Sequence, residues 1–315
     1  MKVGDNPPEG AIVDYYLASP ASGKITLTIS DTAGRLIREY SSVAPPPDTT
    51  MANVPEYWLA PPVVLPMTAG MHRVAWDLRY PDPPTLNYGY SGNLLDYREY
   101  TLSWHALPGQ TPRTTLVGPM VLPGTYTAKL TVNGQGYTQP VTVVADPRVN
   151  VPAAGLAAQF QLQQRMVAGI AATYHGFNYV QQLRAALAAR NTAAANTAAA
   201  AQIATAATAL DTALTPIASG PAGFGAAHRD LGRRLNDQLV GDVQPTASVV
   251  AGVDAPCRAI DAALDALRKL QAANVAELDA ILARANLDAL PAWTPPAAPA
   301  CGSSSAVRRV PSGGR

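Results

Sequence analysis

The periodicity of the apolar residues changes once, at Asp146-Pro147, and a chain with two periods must build two kinds of layer. Before this point apolar residues recur at every second position, and the loops are rich in Pro, Gly and Tyr. After it come long Ala-rich stretches with apolar residues every three or four positions. A period of two puts apolar side chains on one face of a strand, and a period near 3.6 puts them along one helical stripe. The chain therefore reads as α+β in two segregated parts. Residues 1–147 form a β-sandwich-like module with two long Pro- and Tyr-rich insertions, 151–290 a helical hairpin or small bundle, and 291–315 a tail. At 315 residues it suits two domains of ordinary size, able to fold on apolar burial without a disulfide or a metal.

The β half is legible strand by strand. Ala11 to Leu17 reads as a first strand. Ile25, Leu27 and Ile29 alternate with polar neighbours, and Asp31-Thr32-Ala33-Gly34 turns the chain into a partner strand, Arg35 to Tyr40. Val74, Trp76 and Leu78 line one face of the next strand. Tyr126, Ala128, Leu130 and Val132 line another, after a turn at Pro123-Gly124. Asn133-Gly134 tolerates the positive φ of a type I′ turn and closes a hairpin with Tyr137 to Val144. Pro140 places that last strand at an edge or a bulge. The count of strands points to an immunoglobulin-like sandwich. Two insertions interrupt it, Val43 to Ala69 and Tyr80 to Pro119.

In the second half Pro152 suits a helix start, and the spacing of Leu156, Phe160, Val167, Ile170, Tyr174, Phe177 and Leu187 carries that helix to about Arg190. Asn191 to Thr215 reads as a returning helix held by Ile203, Leu210 and Leu214. A shorter helix carries Leu231, Leu235 and Leu239. Thr246 caps the next one, in which Pro256 predicts a kink or a restart after an Asp254 cap. Asn274 and Glu277 resemble a capping pair for a last helix. Beyond Pro291 the Pro, Ala, Gly and Ser composition predicts disorder.

Composition excludes some classes of function. The net charge is +1 without a dense Lys/Arg run in the folded region, which argues against nucleic acid. Arg308-Arg309 is too short a pair to alter this. No apolar run reaches the length of a membrane span. Met1 to Pro8 holds no signal-peptide core, so the chain taken as it stands reads as cytoplasmic. The plainer reading of the two cysteines is a half-buried thiol at Cys257 and an exposed one at Cys301, with a disulfide between them as the alternative.

Four segments in one order resemble a known arrangement: Gly4–Leu17 (GDNPPEGAIVDYYL), Ile25–Ser41 (ITLTISDTAGRLIREYS), Ala69–Pro81 (AGMHRVAWDLRYP) and Gly118–Val149 (GPMVLPGTYTAKLTVNGQGYTQPVTVVADPRV). Together they resemble the C-terminal region of bacterial BNR/Asp-box repeat proteins, the sialidase-like and sortilin-like β-propellers often labelled glycosyl hydrolases. In that family an immunoglobulin-like module, similar to one in flagellar hook-capping proteins, follows the propeller and precedes helices. The propeller and its Asp-box are absent from this sequence. The resemblance therefore implies a non-catalytic accessory module, a truncated or split-gene product, whose partner is a β-propeller domain in cis or in trans. It also implies an extracellular or periplasmic location. No sialidase catalytic residue is carried over, and neither a cofactor nor a metal is implied.

Two groups in the second insertion bear on chemistry. A glycosidase needs two carboxylates about 5–10 Å apart, and Asp82, Asp96 and Glu99 could supply such a pair, although solvated loop charges are the plainer reading. Tyr88, Tyr90, Tyr97, Tyr100 and Trp104 could form a stacking platform for a glycan, the alternative function being a carbohydrate-binding module. The plainer reading is that they fix the loop on the sandwich or on a propeller. His72, His105, His175 and His228 are scattered, without the spacing of a zinc site, and the sequence holds no nucleophile-elbow, phosphate-loop or zincin motif. A third role, assembly through the Ala-rich helices, stays open.

Overall fold

The computed structural model describes residues 10–46, 62–86, 116–296 and 299–302. The fold is mixed α+β, an antiparallel β region followed by a helical part. Its residues group into two compact units. Among the described residues one comprises 10–46, 62–82 and 116–160; the other comprises 83–86, 161–296 and 299–302.

In the first unit, β1 (Ala11–Leu17) pairs antiparallel with β4 (Gly70–Trp76). A four-stranded antiparallel sheet has the order β3-β2-β5-β6, from β2 (Thr26–Ser30), β3 (Leu36–Ser41), β5 (Gly124–Val132) and β6 (Gln135–Val143). One hydrophobic cluster draws on both sheets: Tyr15 and Leu17 from β1, Leu27 and Ile29 from β2, Val74 and Trp76 from β4, Tyr126 and Ala128 from β5. The alternation read from the sequence decides which side chains enter it. Trp76 is fully buried, meets Tyr126 edge-on at 5.6 Å, and donates its indole N–H to the Arg79 carbonyl at 3.3 Å.

Both turns form for the reasons their residues supply. Asp31 Oδ1 accepts from the backbone N–H groups of Ala33 and Arg35, each at 2.9 Å, and Gly34 takes φ 75°. Asn133 and Gly134 have φ 49° and 82°, the left-handed pair that a two-residue hairpin requires. Asn133 does more than turn: its Oδ1 also accepts from the backbone N–H groups of Ser22 and Gly23. Pro140 sits in β6, an edge strand. One detail differs from expectation. Strand β4 ends at Trp76 and Leu78 turns to φ 59°, yet its side chain still packs, partly buried, against the same cluster.

The helical part is built from α1 (Ala153–Ala194), α2 (Ala200–Ser219), α3 (Phe224–Gln238), α4 (Ala247–Leu270) and α5 (Ala276–Arg284). At about 1.5 Å per residue the 42 residues of α1 run roughly 63 Å. Arg184 of α1 bonds Asp211 and Thr215 of α2 at 2.8 and 2.6 Å, two turns or more back from the connection on each helix, as a returning helix demands. Ile203, Leu210 and Leu214 are fully buried.

Neither a restart after Asp254 nor a fresh start at Asn274 occurs. α4 runs unbroken through Pro256, which is buried beside Val253, Cys257 and Ile260, and Asp254 pairs with Arg165 at 2.8 Å instead of capping a helix. Burial of those neighbours outweighs the one backbone bond that proline removes. Asn274 and Glu277 do not cap a new start either. A π-helical stretch, Gln271–Val275, carries α4 straight into α5. Thr246 does cap α4, accepting from the Val249 N–H at 3.4 Å.

Trp76→Ala is expected to cost about 3–5 kcal/mol, since it empties the centre of the β core. Equilibrium urea unfolding of the full chain checks this. The midpoint reported by aromatic signals of the β unit should fall, while the helical far-ultraviolet transition stays in place.

Candidate functional site

The stacking residues proposed from sequence, Tyr88, Tyr90, Tyr97, Tyr100 and Trp104, lie outside the described residues, as do Asp96, Glu99 and His105. Asp82 is described. Its carboxylate accepts the Gly118 N–H at 2.8 Å, and beside it the Tyr80 N–H donates to the Pro119 carbonyl at 2.9 Å. Asp82 thus fastens together the two ends of the second insertion, an architectural task. His72 lies on β4 with Nε2 2.7 Å from the Thr68 carbonyl. Among the described residues no group of three or more His, Cys, Asp or Glu side chains stands close enough to hold a metal ion.

The helical unit holds two arrangements that the sequence did not disclose. The first centres on His228, which is 1 % exposed on α3. Its Nε2 accepts the Leu86 backbone N–H at 3.2 Å, so the ring proton belongs on Nδ1, 2.9 Å from Thr173 Oγ1. The Thr173 hydroxyl passes its own proton to the Ile170 carbonyl at 2.7 Å. A charged ring would lose the bond from Leu86, and burial pushes the imidazole pKa down to about 4. The segment Pro83–Leu86 belongs to the helical unit.

The second arrangement is a strap over residues 287–296 and 299–302, and from 291 onward its composition predicts disorder. Over Pro291–Pro296 and 299–302 that expectation is corrected. The strap's own backbone groups are met one by one by side chains from the helices. Arg190 donates to the Asp288 carbonyl at 2.8 Å, and Asp279 accepts the Leu290 N–H at 2.7 Å. Tyr179 donates to the Pro291 carbonyl at 3.0 Å, Gln271 to the Trp293 carbonyl at 2.7 Å, and Arg268 to the Pro296 carbonyl. Asp261 accepts the Ala300 N–H at 2.7 Å. Cys301 is joined by a disulfide to Cys257 of α4, and both residues are buried. The expectation of two separate thiols is corrected here too. Gly169 makes the junction fit: a Cβ at that position would stand 2.7 Å from Cys301 Sγ and 2.6 Å from Leu231.

Between strap and helix lies a cleft of about 490 Å³. α1 supplies two parallel rows at helical spacing, Tyr174, Asn178, Gln181 and His175, Tyr179, Gln182; the strap supplies Ala292 and Trp293. The Tyr179 and Trp293 rings lie 5.2 Å apart, tilted by 37°. Gln271 fixes both, because its amide nitrogen donates to Tyr179 Oη at 3.0 Å as well as to the Trp293 carbonyl. It stands at the start of the π-helical stretch, where the widened turn redirects a side chain. His175 meets Tyr174 edge-on at 5.4 Å, and loss of surrounding water lowers its pKa. This lining of rings and amides is suited to holding a ligand.

No family model, curated protein or solved structure matches the chain.

Two outcomes follow for the helical unit. The unfolded chain binds a proton at His228 near pH 6.5 and the folded chain only near 4, so this contribution to stability is complete above pH 6.5 and is lost as pH falls toward 4. Its size is roughly 3 kcal/mol. Thermal unfolding between pH 7 and 4 should show that loss, and His228→Gln should remove this slope. Cys257 and Cys301 close a loop of 44 residues, so reduction should lower stability by roughly 4 kcal/mol. Melting with and without dithiothreitol checks it, and Cys301→Ser should be indifferent to the reductant.

Proposed function

We propose that the chain is a non-catalytic accessory module of an exported, BNR-repeat, sialidase-like protein, with its β unit an immunoglobulin-like sandwich that docks against a β-propeller. One observation carries the reading. The four segments of resemblance contain β1, β2 with β3, β4, and β5 with β6 in full, and with them every residue of the buried core cluster except Leu65. The disulfide supports export, because such bonds persist in oxidising compartments.

The outer face of β1 and β4 offers a docking surface. Tyr16 is 67 % exposed and Met71 71 %, and they are register partners. Ile12 is exposed on the same face, and Asp14 pairs with Arg73 between them at 2.8 Å. A large ring and a thioether beside a fixed ion pair suit an interface that reads both shape and charge.

The test mixes the purified chain with an isolated propeller of a BNR-repeat protein and follows association by sedimentation velocity. A complex is expected, and Tyr16→Arg with Met71→Glu should weaken it by about tenfold or more. Glycosidase turnover by the chain alone, or no association at any concentration, would contradict the reading.

A further inference from the structure

We propose that the cleft between α1 and the strap is a binding site for a neutral saccharide. Its two rows on α1 and its wall at Trp293 combine the two surfaces that a sugar ring presents. The C–H face of a pyranose lies well on an aromatic ring, which Trp293 and Tyr174 provide. Its rim of hydroxyls needs partners that both donate and accept. The amides of Asn178, Gln181 and Gln182 do both, and helical spacing brings them to one face of α1.

Charge argues for neutrality. Among the described residues the lining carries no Lys, Arg, Asp or Glu. A phosphate or carboxylate entering it would lose water without gaining a countercharge, which is costly. His175 stays uncharged at neutral pH, because loss of water lowers its pKa, so it acts as a further donor and acceptor. A volume of about 490 Å³ falls within the range for small-molecule sites, roughly 300–1,000 Å³.

The site is also held in advance of any ligand. Gln271 ties the Trp293 backbone to Tyr179, and the disulfide fastens the strap beyond it. A wall fixed by the fold spares the ligand the cost of ordering it. This proposal stands apart from the propeller reading, since it concerns the chain alone and uses different residues.

The experiment probes the full oxidised chain on a printed array of neutral, sialylated and sulfated oligosaccharides, then titrates the hits by calorimetry. Neutral oligosaccharides should bind, and Trp293→Ala should weaken them by about tenfold or more. Because Trp293→Ala could loosen the strap, the double variant Asn178→Ala, Gln182→Ala tests the same site from the helix side. It should weaken binding by a similar factor with an unchanged melting curve. Trp104→Ala should leave affinity unaltered. Binding confined to anionic glycans, no binding at millimolar ligand, wild-type affinity in the double variant, or loss of binding through Trp104→Ala alone would each overturn the proposal.

Discussion

The covalent bond between Cys257 and Cys301 is the constraint on which the order of the helical unit's last segment rests. A run rich in Pro and Ala makes few internal hydrogen bonds and buries little, so its own composition gives it no reason to be fixed. Here the far end is tethered, and the loss of chain freedom falls partly on the unfolded state. The residues before the tether then meet side chains already placed by packed helices. Gly169 matters for the same reason as the cysteines. Only a residue without a side chain lets α1 approach Sγ of Cys301, so a small residue on one helix decides where the strap can lie.

What the sequence disclosed and what it hid divide along contact distance. The hairpin at Asn133-Gly134 and the turn at Asp31–Gly34 are decided by neighbours in the chain, and both were legible. So was the apolar alternation that puts Leu27, Ile29, Val74 and Trp76 in one cluster. The strap was not, because the side chains that bond its backbone come from the packed helices: Tyr179, Arg190, Asp261, Arg268, Gln271 and Asp279. His228 looked like one of four scattered histidines, and nothing near it in the chain announces Leu86 as a partner. The uninterrupted passage from α4 to α5 was missed because Asn274 and Glu277 carry a local capping signal that tertiary packing overrides.

The cleft lies between these cases. Its first wall was visible in principle, as Tyr174, Asn178, Gln181 and His175, Tyr179, Gln182 repeat at helical spacing. A row of that kind on a long helix is usually just a wetted face, and what makes it a cleft is a second wall more than a hundred residues away. The denser aromatic signal in the sequence is the second insertion, whose tyrosines from Tyr88 onward lie outside the described residues. The two proposed roles fall in different units. The β unit presents an apolar face with Tyr16 and Met71, and the helical unit carries a small polar-aromatic cleft.

Amide hydrogen exchange measured by mass spectrometry on the oxidised and the reduced chain tests this account most directly. In the oxidised chain the amides of Leu290 and Ala300, bonded to Asp279 and Asp261, should exchange slowly. Reduction should speed the exchange of Ala300 most, while the core of α4 stays protected. Exchange at the rate of an unstructured peptide over 287–296 and 299–302 in the oxidised chain would contradict it.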